Sequence, residues 1–364
     1  MPDTTYDLHT LGDTDLEVSP LCLGTNTFGW TADEEQAHAI LDAYTDAGGN
    51  FIDTAVTYPA WAPGNEGGES EAIIGNWIAD RRARGRVVLA SKVGMAGGKY
   101  PKGLTRDHIR RGIEDSLRRL QVDSIDVFYA HEDDADTPQL ETLRAFDELV
   151  REGMVDYIAA SNFTADRLAE ALRISDSNGW VRYAVLQPRY NLLDRDGFEG
   201  PLQDLCVDEG IAVTPYPALA GGFLTGKYRP GVPAPAGARS QGAQAQLTPR
   251  GIAILDALDD VAAAHGATVA QVAVAWVLAR PGVVSALASA TSTRQVDDLL
   301  PAQGLTLTSE QIAALAAASA ACPTVTRSGT PPPRRRPGRP HRRRAPPLSA
   351  RRPARRSRGR RPPR

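Results

Sequence analysis

Eight short apolar runs, with helix-like segments between them, leave this chain few ways to fold. They are LCLGT (21–25), FIDT (51–54), VVLASK (87–92), DVFYA (126–130), YIAASN (157–162), AVLQP (184–188), AVTPY (212–216) and VVSALAS (283–289). Runs of this length bounded by polar segments are the pattern of parallel strands buried on both faces. The segments between them show helical periodicity. Ile109, Ile113, Leu117 and Leu120 fall at i, i+4, i+8 and i+11 behind Thr105, which stands where an N-cap belongs. Leu140, Leu143, Phe146, Leu149 and Val150 repeat the scheme behind Thr137, with Pro138 at the first helical position. Strand then helix, eight times over, predicts an α/β fold, a (β/α)8 TIM barrel. Residues 248–265 and 308–319 are helical in excess of the eight and are expected to pack outside. The opening YDLHTLGDTDLEVSP alternates about Gly12 and Asp13, as a small hairpin over the barrel floor would.

A barrel of this type needs about 250 residues or more, so residues 1–326 are assigned to it and 327–364 to a tail. The formal charge of −3 hides two opposed parts: the tail holds 16 Arg and no acid, leaving 25 basic against 44 acidic residues in the body. Rich in Arg and Pro, the tail has almost nothing to bury and is expected to be disordered. Two readings of it stand. One is an electrostatic arm for an anionic surface, although no aromatic interleaves the arginines to stack on bases, which counts against nucleic acid. The other is a shifted reading frame in a GC-rich gene, in keeping with 37 Arg against 4 Lys. Three cysteines without CxxC spacing support neither a disulfide framework nor a metal site. The acidic opening lacks an apolar leader, and the longest nearly apolar stretch, AQVAVAWVLA at 270–279, falls far short of a bilayer span. A cytoplasmic protein with no membrane partner is expected; oligomeric state is not legible.

Four polar residues sit at or just beyond the ends of consecutive runs: Asp53 and Tyr58 in DTAVTY, Lys92 in ASKVG and His131 in YAHEDD. The C-terminal ends of barrel strands are where residues distant in sequence converge for chemistry. Singly, each has a plain structural reading: a capping Asp, a packed Tyr ring, a solvated Lys, a surface His. Together they match, in order and position, the catalytic tetrad of the aldo-keto reductases, which the chain resembles over about residues 8–320. The likeness continues through ASNF (160–163), LQPRYNLLDR (186–195), TPYPALAGGFLTGKY (214–228) and SATSTRQVDDL (289–299).

Such chemistry is intelligible from the residues. Reducing a carbonyl by hydride transfer requires a proton donor at oxygen, and a free tyrosine with pKa about 10 is a reluctant base in the reverse direction. Lys92 is expected to stabilise the phenolate and lower that value, Asp53 to hold Lys92, and His131 to orient the carbonyl.

The resemblance implies a nicotinamide cofactor across the barrel mouth. Ser161, Asn162 and Gln187 would bond its carboxamide and Tyr216 would stack on its ring. Leu219, Gly221 and Lys227 would follow the pyrophosphate, Gly24 and Thr25 would border the first-strand side, and Asp53 is a further cofactor-binding candidate. At the adenine end stand Ser289, Thr291, Ser292, Arg294 and Gln295, where Arg294 either pairs a 2′-phosphate or is a solvated helix residue. NADPH is therefore preferred by a small margin over NADH. No GxGxxG occurs, which argues against a Rossmann site, and GGFLTGK at 221–227 fails as a P-loop because Tyr228 stands where Ser or Thr must bind magnesium. Trp30, Trp61 and Tyr100 are candidate walls for a small carbonyl substrate. The Pro- and Ala-rich segment 229–249 is expected to be a mobile cover carrying Arg239 as a phosphate contact. The implied activity is reduction of aldehydes or ketones. The alternative is an NADPH-binding regulatory subunit of slow turnover.

Overall fold

The computed structural model describes residues 6–320. A short antiparallel pair, β1 (His9–Thr10) and β2 (Glu17–Val18), opens the chain. The strands β3 (Leu21–Gly24), β4 (Phe51–Asp53), β5 (Val88–Val93), β6 (Ile125–Ala130), β7 (Val155–Ser161), β8 (Tyr183–Gln187), β9 (Ala212–Val213) and β10 (Ala286–Ala288) then form one parallel sheet, ordered β10-β3-β4-β5-β6-β7-β8-β9. The sheet closes on itself. The Val213 amide donates to Gly282, the Val284 amide to Val213 and the Leu287 amide to Pro215, completing the (β/α)8 barrel.

Helices α1 (Glu34–Asp46), α2 (Glu69–Arg81), α3 (Arg106–Leu120), α4 (Gln139–Arg151), α5 (Ala165–Asn178) and α6 (Pro201–Asp208) follow β3 to β8 in turn. In α3 the Thr105 hydroxyl accepts from the His108 amide, and Ile109, Ile113 and Leu120 are buried with Leu117 half-buried, as the periodicity predicts. One start differs from expectation. The Thr137 hydroxyl donates to Asp134 at 2.6 Å, so Pro138 becomes the N-cap of α4 and the helix begins at Gln139. Between β9 and β10 lie α7 (Ser240–Gln244), α8 (Pro249–His265) and α9 (Val269–Leu278), and after β10 come α10 (Thr293–Leu299) and α11 (Ser309–Ser319). The two supernumerary helices, α8 and α11, pack against each other. Apolar stretch 270–279 is largely α9, buried along most of its length.

Strand alternation sorts the core into two layers. Phe51, Val88, Ala90, Val127, Tyr129, Ala159 and Val185 fill the barrel interior; their neighbours Ile52, Leu89, Phe128, Ile158 and Leu186 pack outward against the helices. The hairpin closes the floor as expected, with Leu11 and Val18 fully buried against the inner layer. Gly12 makes the turn at φ 64°. A Cβ there would meet the Ala184 carbonyl at 2.8 Å and the Ala212 amide at 3.0 Å, so only glycine lets the loop pass this close beneath β8 and β9. Among the described residues no single helix is long and apolar enough to cross a membrane. The expected boundary at 326 and the disordered tail lie outside the described residues.

Candidate active site

Inward-facing positions turn polar toward the C-terminal ends of the strands. Asp53 on β4, Lys92 on β5, Ser161 on β7 and Gln187 on β8 continue the inner-face alternation, and His131 follows the last residue of β6. Lys92, fully buried, donates to Asp53 in a buried ion pair, to the Thr54 carbonyl at 2.7 Å and to the Tyr58 hydroxyl at 3.4 Å. The other Asp53 oxygen accepts from the Gln187 amide at 2.8 Å. Both charges of the pair therefore have hydrogen-bond partners, which is what makes their burial tolerable. The Tyr58 ring packs edge-on against His131 and Trp61, at 5.7 and 5.6 Å between centroids.

Burial pushes the Tyr58 phenol up, and although Lys92 pulls it down the net direction is upward. This reverses the lowered value expected from the sequence. The ammonium is close, but desolvation of a buried phenolate outweighs it and Asp53 adds to the rise. Burial alone would lower the Lys92 ammonium, yet Asp53 and Tyr58 reverse the sign and raise it. His131 is held well below the ordinary range by burial and then by Lys92, so its imidazole is neutral. Its Nδ1 is buried with no partner among the described residues.

A cleft of about 700 Å³ runs from Asp53 and Tyr58 across the barrel mouth to α10. Of the residues expected at a cofactor, Gly24, Asp53, Gln187, Tyr216, Leu219, Gly221, Lys227, Ser289, Thr291, Arg294 and Gln295 line it. Four do not. Thr25 is buried and braces the site from behind, donating to the Asp53 carbonyl at 2.8 Å. Ser161 donates to the Gln187 carbonyl at 2.9 Å. Asn162 donates to the His131 carbonyl at 2.9 Å and accepts from the Tyr216 hydroxyl at 2.7 Å. Ser292 caps α10.

Sequence reasoning missed Asn26, Thr31, Thr225 and Asp298 on the lining. Asn26 follows β3 by two residues and was open to the strand-end argument; the others lie in loops or on a helix without such a signal. Segment 229–249 contains α7 and is not irregular throughout. Its Arg239 lies in the cleft, donating to Asn26 Oδ1 at 2.9 Å and covering the Trp30 ring at 5.5 Å from its centroid. Tyr100 is not a wall of this cleft. It is buried outside the barrel, with its hydroxyl donating to Asp115 at 2.9 Å.

The model of the aldo/keto reductase family matches residues 20–320, which span the whole barrel and all four residues at its mouth. The chain belongs to the aldo/keto reductase family. Among relatives of this aldo/keto reductase is the uncharacterized oxidoreductase YrpG of Bacillus subtilis, 36% identical over 82% of this chain and 92% of that protein. Protein tas of Escherichia coli is 34% identical over 85% and 96%. A rice protein named as a probable voltage-gated potassium channel subunit beta is 35% identical over 79% and 88%. The protein is thus an oxidoreductase by family, and aldo/keto reductases generally use NAD(P)H.

Proposed function

We propose that this aldo/keto reductase reduces aldehydes or ketones to alcohols with NADPH, Tyr58 giving the proton. The observation that carries the reading is the Tyr58 hydroxyl, 3.4 Å from a buried ammonium and open to the cleft. The cleft fits a polyanionic dinucleotide. On a body rich in acids, Lys227, Arg239 and Arg294 face the same space, opposed at its outer end by Asp298. Gly221 and Gly222 adopt φ of 66° and 98°, a turn that brings backbone to the lining without side chains. Bound there, the nicotinamide would supply the hydride.

In this reading the chain's own residues manage the proton and the geometry. Tyr58, neutral because it is buried, donates from its hydroxyl to the carbonyl oxygen, and Lys92 stabilises the phenolate left behind. Asp53 keeps Lys92 charged and Gln187 keeps Asp53 in place. His131, neutral, directs a ring N–H to the carbonyl oxygen. Tyr216 walls the nicotinamide end, and its hydroxyl, through Asn162, ties that wall to the backbone of His131. Lys227, Ser289, Thr291, Arg294 and Gln295 hold the phosphates and adenosine.

The test follows absorbance at roughly 340 nm, where the reduced cofactor absorbs, with NADPH and NADH each offered a panel of aldehydes and ketones. Tyr58→Phe lowers turnover about 10²–10⁴-fold, the usual worth of a general acid, while cofactor binding measured by calorimetry is unchanged. Full turnover in that variant overturns the mechanism. A second reading is favoured by the relatives named as channel β subunits: NADPH binding with slow turnover, in the service of a partner. Tight binding of NADPH, negligible turnover on the panel and a stably co-purifying protein would select it.

A further inference from the structure

A second cavity, of about 190 Å³, lies outside the barrel on the far side of the backbone that carries the tetrad. It opens between the end of β5, the first turns of α3 and the loop joining them, and shares no lining residue with the cofactor cleft. Its walls are apolar, formed by Val56, Val93, Tyr100 and Pro101. A cavity of about 150 Å³ with apolar walls holds a benzene ring, so this one accommodates a single ring or an aliphatic body of that size.

Its polar features point to an anion. Lys99 and Arg111 stand exposed at the rim, and neither has an ion-pair partner among the described residues. The acid on the lining, Asp115, is engaged elsewhere, accepting from Tyr100 and pairing with Arg118 and Arg119. Phosphate would want several converging donors; apolar walls with two rim cations suit a carboxylate on an apolar body.

We propose that this cavity binds a small carboxylic acid of about one ring in size, with the carboxylate toward Lys99 and Arg111, and that its occupancy sets turnover at the tetrad. The coupling is through backbone. Val56 lies between Asp53 and Tyr58, and its amide donates to the Lys92 carbonyl at 3.1 Å; Val93 follows Lys92, and its carbonyl accepts the His131 amide at 2.8 Å. A ligand packed on Val56 and Val93 bears on the positions that carry Tyr58, Lys92 and His131. Binding stands on the cavity alone, while the effect on turnover rests on the function proposed above.

The probe is 4-fluorobenzoate, titrated by fluorine NMR into the full chain. Equal affinity in the wild type and Tyr58→Phe, at least tenfold weaker binding in the double variant Lys99→Glu/Arg111→Glu, and at least tenfold weaker binding of neutral 4-fluorobenzyl alcohol are expected. Unaltered binding in the double variant, displacement of the acid by NADPH, or no binding at millimolar acid would overturn the site. Both substituted side chains are exposed, and a thermal melt checks the fold; should the double variant not fold, Arg111→Ala is to weaken binding at least threefold. In turnover assays, saturating 4-fluorobenzoate changes kcat without changing KM for the carbonyl. Unchanged kcat sinks the coupling, and a chain without turnover leaves the binding arm to decide the site.

Discussion

The two ends of the barrel interior are built on the same strands and solve opposite problems. At the floor, Leu11 and Val18 press into Phe51, Val88 and Val185, an apolar contact held by area and packing. At the mouth, Asp53, Lys92 and Gln187 sit equally deep, but they are held by hydrogen bonds that Lys92 and Gln187 each donate to Asp53. Burial therefore stabilises one end and perturbs the other. It shields side chains at the floor, whereas at the mouth it raises the Tyr58 phenol and lowers the His131 imidazole. The difference teaches that position along a strand, not depth, separates scaffold from chemistry.

Substitutions at the two ends should part stability from activity. Asp53→Ala leaves a buried ammonium without its counter-charge and is expected to cost about 3–5 kcal/mol, seen as a fall in the denaturation midpoint together with lost turnover. A variant as stable as the wild type would show that the pair is not what holds the mouth. Leu11→Ala at the floor is expected to cost about 2–5 kcal/mol, with kcat per folded molecule unaltered. A selective loss of kcat there would break the contrast.

A smaller effect comes from His131. Its folded pKa is depressed, so below the unfolded value of about 6.5 the unfolded chain binds a proton that the folded chain does not. Stability from this group is present above that pH and is lost as pH falls, with a slope of at most about 1.4 kcal/mol per unit. Denaturation of wild type and His131→Asn between pH 7 and 5 measures it, and identical slopes would count against a buried neutral imidazole. Smallest of all, Arg294→Ala should weaken NADPH about fivefold and NADH hardly at all, since an exposed ion pair is worth about 1 kcal/mol or less. Equal effects on the two cofactors would mean that Arg294 does not meet a 2′-phosphate.

Much of this is legible in the sequence. The eight runs map onto β3 to β10 because strands buried on both faces must be apolar throughout, and a polar residue that interrupts such a run near its end is conspicuous. Asp53 and Lys92 stood out for that reason, and Tyr58 and His131 by their short offsets from it. Asn26 was within reach of the same logic. Tyr100 misled because an aromatic in a loop carries no mark of which side of a strand it will cover. Thr25, Ser161 and Asn162 were expected to contact the cofactor, but they do not line the cleft; their hydrogen bonds go to the backbone of Asp53, Gln187 and His131.

The sequence by itself determined the barrel, the stripe of α3, the hairpin under the floor and the four polar residues at consecutive strand ends, because periodicity and strand-end polarity are local properties. Only the tertiary structure decided that Gln187, 134 positions from Asp53, completes its hydrogen bonds, that Arg239 reaches Asn26 across the mouth, and that the Tyr58 phenol is raised rather than lowered. Those outcomes depend on distance and desolvation among groups far apart in the chain, quantities that exist once the barrel has closed.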